Sequence, residues 1–379
     1  MSETQLDEMQ IPSQLPSADV RLRPLKGLIL AGGKGSRLRP LTATGAKQLV
    51  PVANKPVLFY ALEQLVEAGI EEIGIITGDS GGQVREAIGD GSQFGAQITY
   101  IPQDAPLGLA HAVLTGREFL GDSPFCMYLG DNFLRQGIVG HAEQFRHSDA
   151  AGQILLKKVD DTSALGVAVL DANGKVQQLV EKPKIPISPY AVVGVYFFGP
   201  EIHDVVPGLV PSARGELEIT DAIQGLIDAG NEVDASLIDD VWIDTGKKDD
   251  MLEANRVVLS GITRRIDGEV DSASVLVGEV IIEEGAEIRG SSVRGPAIIG
   301  KGARLDGAFV GPFTAIGDRV HLQSCEIEHS IVLADSSIKN ISRRISDSLI
   351  GREVVIQRTD HRPHVMRLMI GDHGQLDIS

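Results

Sequence analysis

Apolar and polar positions follow one rhythm over the first two thirds of the chain and another rhythm after it. From Lys26 to about Gly261, short apolar runs predict buried strands, and stretches with apolar residues at helical spacing lie between them. This alternation is typical of a largely parallel sheet that is covered by helices on both faces. The first pattern therefore predicts an α/β domain with a mostly parallel sheet.

The predicted elements place two aspartates at strand ends. The strands are predicted at Gly27–Ala31, Glu72–Thr77, Ile98–Ile101, Phe125–Leu129, Ala191–Phe198 and Val241–Ile243. The helices are predicted at Val57–Ala68, Gln83–Ile88 and Leu109–Phe119. Ligands of open α/β sheets bind beyond the carboxyl ends of the strands, so Asp131 and Asp244, which follow two of these strands, are candidate ligand-binding residues.

A six-residue period begins after Ile262. Segments that start at Ile282, Ile299, Ile316 and Ile350 align at intervals of 17 residues or twice that. Aliphatic residues recur about every six positions, at Ile282, Ile288, Val293, Ile299, Leu305, Val310, Ile316, Leu322 and Ile327. The period predicts a left-handed parallel β-helix with stacked aliphatic corners, because a hairpin sheet would show a period of two and turn dipeptides.

Length and pattern together predict two domains and two terminal segments. At 379 residues the chain exceeds a usual single domain, and we expect domains at residues 26–261 and 262–379, the second ending in a cap from His361 to Ser379. Residues 1–25 are polar and interrupted by prolines, which predicts a mobile arm rather than a signal peptide or a membrane span.

Charge and cysteine content limit the possible partners and compartment. The formal net charge of −17 argues against nucleic acid or an anionic membrane as a partner, since most of the surface would repel both. Cys126 and Cys325 lie far apart in sequence and form no CxxC motif, so we expect a reduced, cytoplasmic protein. A polyphosphate substrate would need local basic residues and a metal ion.

A loop rich in glycine and arginine follows the first predicted strand. It reads LAGGKGSRLRP from Leu30 to Pro40, and its glycines let backbone N–H groups approach phosphates. It is not a Walker A loop, because no Lys-Ser or Lys-Thr follows Gly35, and Leu38 occupies the third glycine position of a dinucleotide fingerprint. On its own the loop could also be a glycine-rich turn with surface arginines, although this is the less favoured interpretation.

The residues after the loop complete a composite motif. Gly32 to Thr42, Lys47 to Val52 and the pair Lys55-Pro56 match the signature GGxGxRLxPxT, KxLxPV and KP in order. Over about Lys26 to Ser260 the chain resembles the sugar-1-phosphate nucleotidyltransferases, and within them the enzymes that join dTTP to glucose 1-phosphate. Further matching segments are Gly89–Ser92, Leu129–Asn132, Glu181–Pro183, Arg214–Asp221 and Trp242–Gly246. The resemblance implies a Rossmann-like nucleotidyltransferase domain, here followed by the β-helix of the long form found in deoxysugar pathways.

The resemblance also implies a reaction and roles for five catalytic residues. A sugar-phosphate oxygen attacks the α-phosphorus of the triphosphate in line, and pyrophosphate leaves. By resemblance Arg37 neutralises the triphosphate and the leaving pyrophosphate, Lys47 contacts the phosphates near the reacting centre, and Lys182 holds the sugar phosphate. Asp131 and Asp244 would bind a Mg²⁺ ion that bridges the phosphates. No general base is required, because the attacking oxygen is already ionised.

The remaining candidate residues bind the two substrates by resemblance. The nucleotide-binding set is Leu30, Ala31, Gly32, Gly33, Gly35, Ser36, Gln48, Gln103 and Gly108. Within it Gln103 and Gly108 would select the pyrimidine, a glutamine amide and backbone groups reading its polar edge. The sugar-phosphate set is Asn132, Gly166, Glu181, Lys182, Val193 and Arg214.

Several alternatives stay open from the sequence. UTP could replace dTTP, and Leu165 together with Phe133-Leu134-Arg135 departs from the short-form pattern and leaves the exact sugar open. The β-helix could carry an acetyltransferase site that uses His321 or His329, or it could be an assembly platform for a homo-oligomer, which we favour. A non-enzymatic regulatory subunit is disfavoured because all five catalytic candidates are present.

Overall fold

The computed structural model describes residues 24–33, 35–43, 45–358 and 372–377. The predicted N-terminal arm lies outside the described residues except for Pro24 and Leu25, and Leu25 is buried in the first core. The predicted C-terminal cap lies outside them except for 372–377.

Residues 26–261 contain alternating strands and helices, as predicted. The strands are β1 Lys26–Ala31, β2 Pro51–Val52, β3 Lys55–Pro56, β4 Glu72–Thr77, β5 Gln97–Pro102, β6 Phe125–Leu129, β7 Asn132–Leu134, β8 Gly152–Lys158, β9 Gly166–Leu170, β10 Val176–Glu181, β11 Tyr190–Phe198, β12 Val233–Leu237 and β13 Trp242–Asp244. The helices are α1 Val57–Glu67, α2 Gly81–Ile88, α3 Leu109–Thr115, α4 Arg117–Leu120, α5 Val139–Arg146, α6 Ile202–Val205, α7 Ile219–Asp228 and α8 Lys248–Leu259. Short 3₁₀ turns lie at Ser36–Leu38, Leu41–Ala43, Lys47–Leu49, Ser92–Phe94 and Val206–Gly208.

The main sheet has a parallel half and a largely antiparallel half. Strands β6, β1, β4 and β5 pair in parallel in that order, as the apolar runs predicted. Beyond β6 the sheet continues through β11 to β9 and β10 by antiparallel pairing, and β8 with β12 branches from β11. One buried core lies on each face of the sheet. The glycine and arginine loop leaves the carboxyl end of β1 in the middle of the parallel half.

Two local predictions were wrong. The helix predicted over Leu109–Phe119 is broken into α3 and α4 at Gly116, where a side-chain Cβ would lie 3.1 Å from Leu28 Cδ1 beneath the helix. Asp244 does not follow a strand of the main sheet; it is the last residue of β13, which pairs antiparallel with β7 in a separate ribbon. That ribbon places Asp244 opposite Asn132, directly after Asp131.

Residues 265–357 form the predicted parallel β-helix. Its strands are β14 Arg265–Ile266, β15 Glu269–Val270, β16 Val275–Val277, β17 Val280–Ile282, β18 Glu287–Arg289, β19 Ser292–Arg294, β20 Ala297–Ile299, β21 Arg304–Asp306, β22 Phe309–Val310, β23 Thr314–Ile316, β24 His321–Gln323, β25 Glu326–Ile327, β26 Ile331–Val332, β27 Ser337–Lys339, β28 Leu349–Ile350 and β29 Val355–Gln357. They stack in parallel on three sides, and the predicted aliphatic residues are all buried in one core.

A mixed apolar core joins the β-helix to the N-terminal domain. Leu38, Val52 and Met251 from the N-terminal domain pack in one cluster with Ile298 and Ala315 from the β-helix. The segments that carry Arg37 and Lys47, and the helix after Asp244, are therefore supported directly by the β-helix. Over the described part of the chain, every helix is too short or too polar to cross a membrane.

Candidate active site

Four of the predicted catalytic side chains lie together beyond the carboxyl end of β6. Lys47 Nζ donates to Asp131 Oδ2 and lies 3.8 Å from Asp244 Oδ1. Arg37 Nη2 lies 3.6 Å from Asp244 Oδ2. Lys47 is buried, whereas 57% of the Arg37 side chain is exposed and can reach a ligand in the cleft. Two cations and two carboxylates therefore form one compact group, although more than 200 residues separate Arg37 from Asp244.

Partly buried hydrogen bonds orient the carboxylate of Asp131. The indole Nε1 of Trp242 donates to Asn132 Oδ1 at 2.6 Å, and Asn132 Nδ2 donates to Asp131 Oδ1 at 3.0 Å. The backbone N–H and the hydroxyl of Thr245 both donate to the Asp131 carbonyl, at 3.0 and 2.7 Å. The β7–β13 ribbon thus fixes the backbone and the side chain of Asp131 from one side.

Two glycines leave room for the cationic side chains. Gly35 has a φ of +61°, and a Cβ there would lie 2.7 Å from Lys47 Cβ. A Cβ at Gly246 would lie 2.6 Å from Arg37 Nη2, so only glycine admits the guanidinium in its observed position. Both glycines belong to the motifs described in the sequence analysis. At either position a Cβ would collide with a cationic side chain, which explains why glycine is present.

The carboxylate of Asp244 is suited to a metal ion. Its Oδ1 is buried and has no hydrogen-bond partner among the described residues, while Lys47 lies at the edge of interaction distance. Burial, followed by the nearby charge of Asp131, raises the pKa of the Asp244 carboxyl. A divalent cation would satisfy this oxygen and offset the repulsion between the two carboxylates.

The donor set is small, which also fits the ion that the sequence predicted. No group of three or more His, Cys, Asp or Glu in the described residues is placed to hold a metal alone. Magnesium binds with one or two carboxylates and completes its coordination with substrate phosphates and water, so the pair Asp131 and Asp244 is sufficient.

Gln103, one of the predicted base-binding residues, lines a small cavity of about 100 Å³ beside the glycine loop. Its lining residues are Gly32, Gly78, Asp79, Gln103, Asp104, Ala105 and Pro106. The backbone N–H of Gln103 donates to the Thr77 carbonyl at 2.8 Å, which holds Gln103 at the end of β5. Gln48 is buried, and its Nε2 lies 3.4 Å from the position that a Cβ would take at Gly33. Its Oε1 has no hydrogen-bond partner among the described residues.

Gly108 lies close to the backbone of Leu217. Its φ is +108°, and a Cβ there would lie 2.7 Å from Leu217 N, which no side chain tolerates. Two backbone hydrogen bonds, Leu217 N to Leu107 O at 2.7 Å and Ala110 N to Leu217 O at 3.1 Å, surround this contact. Gly108 therefore joins the loop after Gln103 to the Arg214–Asp221 segment.

The predicted sugar-side residues form a second group around Glu181. Lys182 Nζ and Arg214 Nη2 both lie 3.3 Å from Glu181 Oε1. Arg214 also pairs with Glu218 at 2.7 Å and with Glu216 at 3.2 Å, so three carboxylates hold its guanidinium. Gly166 pairs with Glu181 across β9 and β10, and its missing side chain leaves space beside Glu181 Oε2.

Strand β11 connects the two groups. The Cβ position of Gly194 is 2.5 Å from Asn132 Oδ1, and that of Gly166 is 3.7 Å from Val192 Cβ. The side chain of Val193 is fully buried in the core, so only its backbone can face a ligand. The pairing of β11 with β8 is irregular between Val192 and Tyr196, so the regular ladder is interrupted beside Val193.

Three other predicted residues lie in strand β1 and in the turn that carries Arg37. Ala31 is buried, the Leu30 carbonyl accepts from Gly130 N–H at 3.0 Å, and Ser36 begins the 3₁₀ turn that carries Arg37. A larger cavity, of about 310 Å³, is lined by residues such as Gln136, His141 and Asp239 and contains none of the predicted site residues.

The histidines of the acetyltransferase alternative both pair with aspartates. His321 Nε2 lies 3.0 Å from Asp306 Oδ2, and His329 Nδ1 lies 2.7 Å from Asp347 Oδ1.

Sequence reasoning did not single out several residues that complete the site. Thr245 and Trp242 were quoted only within motifs, although they orient Asp131 and Asn132. His111 lies 2.8 Å from the Gln103 amide and was not named at all. Its position within Gly108-Leu109-Ala110-His111, shortly after Gln103, was the available signal.

Known proteins resemble this chain over most of its length. A family model described as nucleotidyl transferase matches residues 26–261. A glucose-1-phosphate thymidylyltransferase of Streptomyces antibioticus is 51% identical over 93% of this chain and 99% of its own length. A low-salt glycan biosynthesis nucleotidyltransferase of Haloferax volcanii is 46% identical over 93% of this chain and 100% of its own length. Both relatives therefore extend through the β-helix.

Solved structures match the N-terminal domain. A Bacillus anthracis glucose-1-phosphate thymidylyltransferase in complex with a sucrose is 37% identical, with a TM-score of 0.58 over 62% of this chain and 94% of the other. A UDP-glucose pyrophosphorylase complexed with UDP-glucose has a TM-score of 0.57 over 62% of this chain and 98% of its own, but at 24% identity it shows the fold alone. The chain belongs to the nucleotidyl transferase family, as a transferase whose catalytic domain continues into a left-handed parallel β-helix.

Proposed function

We propose that this protein transfers a deoxythymidylyl group from dTTP to glucose 1-phosphate and releases pyrophosphate. A phosphate oxygen of the sugar phosphate forms a bond to the α-phosphorus, and the bond from that phosphorus to the β-phosphate oxygen breaks. The products are dTDP-glucose and pyrophosphate. The observation that carries this proposal is the cluster of Arg37, Lys47, Asp131 and Asp244 in a chain that is 51% identical to a named thymidylyltransferase.

Arg37 and Lys47 are the two cations of this cluster. Their positive charges would reduce the repulsion between the triphosphate and the sugar phosphate when the two substrates come together. Lys47 is buried and already held by Asp131, so little side-chain entropy is lost when it binds a phosphate near the reacting atom. Arg37 is largely exposed, and its planar guanidinium can make bidentate bonds to the departing pyrophosphate. Because the attacking oxygen is already ionised, the residues orient reactants and stabilise charge rather than remove a proton.

The family generally depends on a divalent metal, and we propose Mg²⁺ for this member. Asp131 and Asp244 would hold it, since the buried, unpartnered Oδ1 of Asp244 lies in the same group as the Asp131 carboxylate. When bound, Mg²⁺ would neutralise charge on the phosphates. The relay from Trp242 through Asn132 to Asp131 keeps one carboxylate oriented for this task.

The cavity beside the glycine loop is suited to a pyrimidine. Gln103 offers a polar group for the base edge, and Ala105 and Pro106 supply apolar wall for a 5-methyl group. This apolar wall is our reason to favour dTTP over UTP. In the second group, around Glu181, the Glu181 carboxylate would accept hydrogen bonds from sugar hydroxyls, and Lys182 would bind the sugar phosphate.

We also propose that the protein forms a homo-oligomer through the β-helix. Ile266, Val275 and Val277, on its first coils, are exposed to 43, 54 and 51%. Apolar strands at an open end of a solenoid favour contact with another chain. Light scattering should give a mass of two or more chains, and a strict monomer at micromolar concentration would contradict this part of the proposal.

The activity test uses purified protein with Mg²⁺, glucose 1-phosphate and one triphosphate, with pyrophosphate release as the readout. We expect turnover with dTTP that stops when EDTA removes the metal, and in a competition of dTTP with UTP we expect dTDP-glucose to dominate. Absence of pyrophosphate with every common nucleoside triphosphate would refute the nucleotidyl transfer. Preference for UTP would refute the base assignment and leave the chemistry in place.

A further inference from the structure

The amide of Gln103 is held by a histidine at the start of helix α3. Gln103 Nε2 lies 2.8 Å from His111 Nδ1, and His111 is the third residue of α3. The oxygen of the same amide faces the glycine loop. Gln103 Oε1 lies 3.5 Å from the position that a Cβ would take at Gly32. One amide N–H is thus committed to the imidazole, while the carbonyl and the second N–H remain for a ligand.

A glutamine amide can rotate by 180° and exchange its donor and acceptor with almost no change in shape. In the observed orientation an N–H meets Nδ1, which requires the imidazole to carry its proton on Nε2 and to offer a lone pair. After rotation the carbonyl oxygen would face the same lone pair, and two acceptors would be opposed unless the imidazole moved its proton to Nδ1. In the tautomer protonated on Nε2, His111 therefore stabilises one of the two orientations of Gln103.

The two orientations fit different pyrimidines. Thymine and uracil present a donor at N3–H beside an acceptor at O4, which matches the carbonyl and the free N–H of Gln103 as observed. Cytosine presents an acceptor at N3 beside an amino donor, which matches the rotated amide. The orientation that His111 favours would leave cytosine facing two mismatched pairs, and unpaired polar groups in a site are strongly rejected.

We infer that His111 is a positioning residue that discriminates against cytosine: in the tautomer protonated on Nε2, its Nδ1 lone pair fixes the Gln103 amide to accept thymine-type bases and to exclude cytosine. The inference rests on the proposed function, because it takes the cavity beside Gly32 and Gln103 as the base site. Thymine and uracil share the same edge, so His111 contributes nothing to the choice between dTTP and UTP.

The test compares dTTP with dCTP, which differ only in the base, in kcat/KM for glucose 1-phosphate nucleotidylation. His111→Leu removes the acceptor at similar volume, and we expect the dTTP-to-dCTP ratio to fall about tenfold, the effect of losing one oriented hydrogen bond. His111→Asp keeps an acceptor that cannot donate, and we expect it to retain most of the wild-type ratio. Any effect of its charge on the triphosphate cancels, because both substrates carry the same phosphates. His141→Leu, on α5 beside the larger cavity, is the matched control and should leave the ratio unchanged.

The outcomes separate this inference from the proposed function. If the wild-type protein fails to use dTTP, the proposed function fails. If it uses dTTP and His111→Leu keeps the wild-type ratio, or His111→Asp loses as much selectivity as His111→Leu, the positioning role is wrong. The imidazole ¹⁵N chemical shifts of the unaltered protein give a test that needs no variant. We expect the tautomer protonated on Nε2, and a proton on Nδ1 in the neutral ring would overturn the inference.

Discussion

The side-chain amide of Asn255 donates through Nδ2 to the backbone carbonyl of Phe313 at 2.9 Å, and so ties helix α8 to the β-helix. The same amide accepts through Oδ1 from the N–H of Ala53 at 2.9 Å. Ala53 and Asn54 both have positive φ, and Asn54 Nδ2 donates to the Ile316 carbonyl at 2.8 Å. This junction connects the segment after Lys47, the helix after Asp244 and a coil of the β-helix.

Asn255→Ala should destabilise the whole chain through this junction. Asn255 is fully buried, so the substitution leaves the Ala53 N–H and the Phe313 carbonyl without partners. Each loss costs about 1–3 kcal/mol, and we expect the free energy of unfolding to fall by roughly 2–4 kcal/mol in urea titration. The exposed Asn173→Ala is the control, with an expected change within about 0.5 kcal/mol. An unchanged unfolding midpoint for Asn255→Ala would show that the junction adds no stability.

Gly246→Ala should impair turnover more than stability. The new methyl group would lie 2.6 Å from Arg37 Nη2, so the flexible guanidinium must leave its place beside Asp244. We expect kcat to fall about tenfold or more, because misplacing one charged group of an active site costs at least this much. Steady-state pyrophosphate release gives kcat, and circular dichroism gives the melting temperature. Gly208→Ala, which meets no atom within 4 Å, should change neither quantity, and full activity of Gly246→Ala would refute the steric argument.

Regular periodicity made much of the fold predictable. Runs such as Gly27–Ala31 and the six-residue spacing from Ile282 to Ile327 depend on burial at fixed intervals, and the corresponding strands and corners are buried as expected. The ribbon of β7 and β13 was not predictable in the same way. Its strands have three residues each, too few to show a period, and they pair across about 110 residues of chain.

The candidate site likewise has one part that the sequence indicated and another part that it did not. Motifs indicated Arg37, Lys47, Asp131 and Asp244, and the fold brings these side chains together. The contacts by which other residues orient these side chains carry no local signal. The bond from Asn255 to Phe313, like that from Trp242 to Asn132, depends on contacts between distant segments, which spacing within a motif cannot indicate.

Asp131→Asn and Asp244→Asn should each abolish turnover while the fold is kept. Either substitution preserves size but removes a negative charge that would bind Mg²⁺, and we expect kcat to fall about 100-fold or more. Pyrophosphate release at rising Mg²⁺ measures the effect, and far-ultraviolet circular dichroism checks the fold. Asp122→Asn is the control, since Asp122 is exposed and pairs with Arg117. Wild-type rates for either active-site variant would remove that carboxylate from the metal site.

Arg214→Ala should weaken sugar-phosphate binding and leave the nucleotide site intact. Arg214 and Lys182 both contact Glu181, and Arg214 also neutralises the buried Glu218, so its loss removes one of two cations from Glu181 and leaves Glu218 without its cation. We expect the KM for glucose 1-phosphate to rise about tenfold, with the KM for dTTP unchanged, because a sugar-binding carboxylate that is no longer oriented loses roughly one charge-assisted hydrogen bond. Arg214→Lys keeps a positive charge without the planar fork and should give an intermediate KM. Initial-rate measurements with each substrate varied in turn decide the case, and equal increases in both KM values would show that Arg214 supports the whole fold rather than the sugar side.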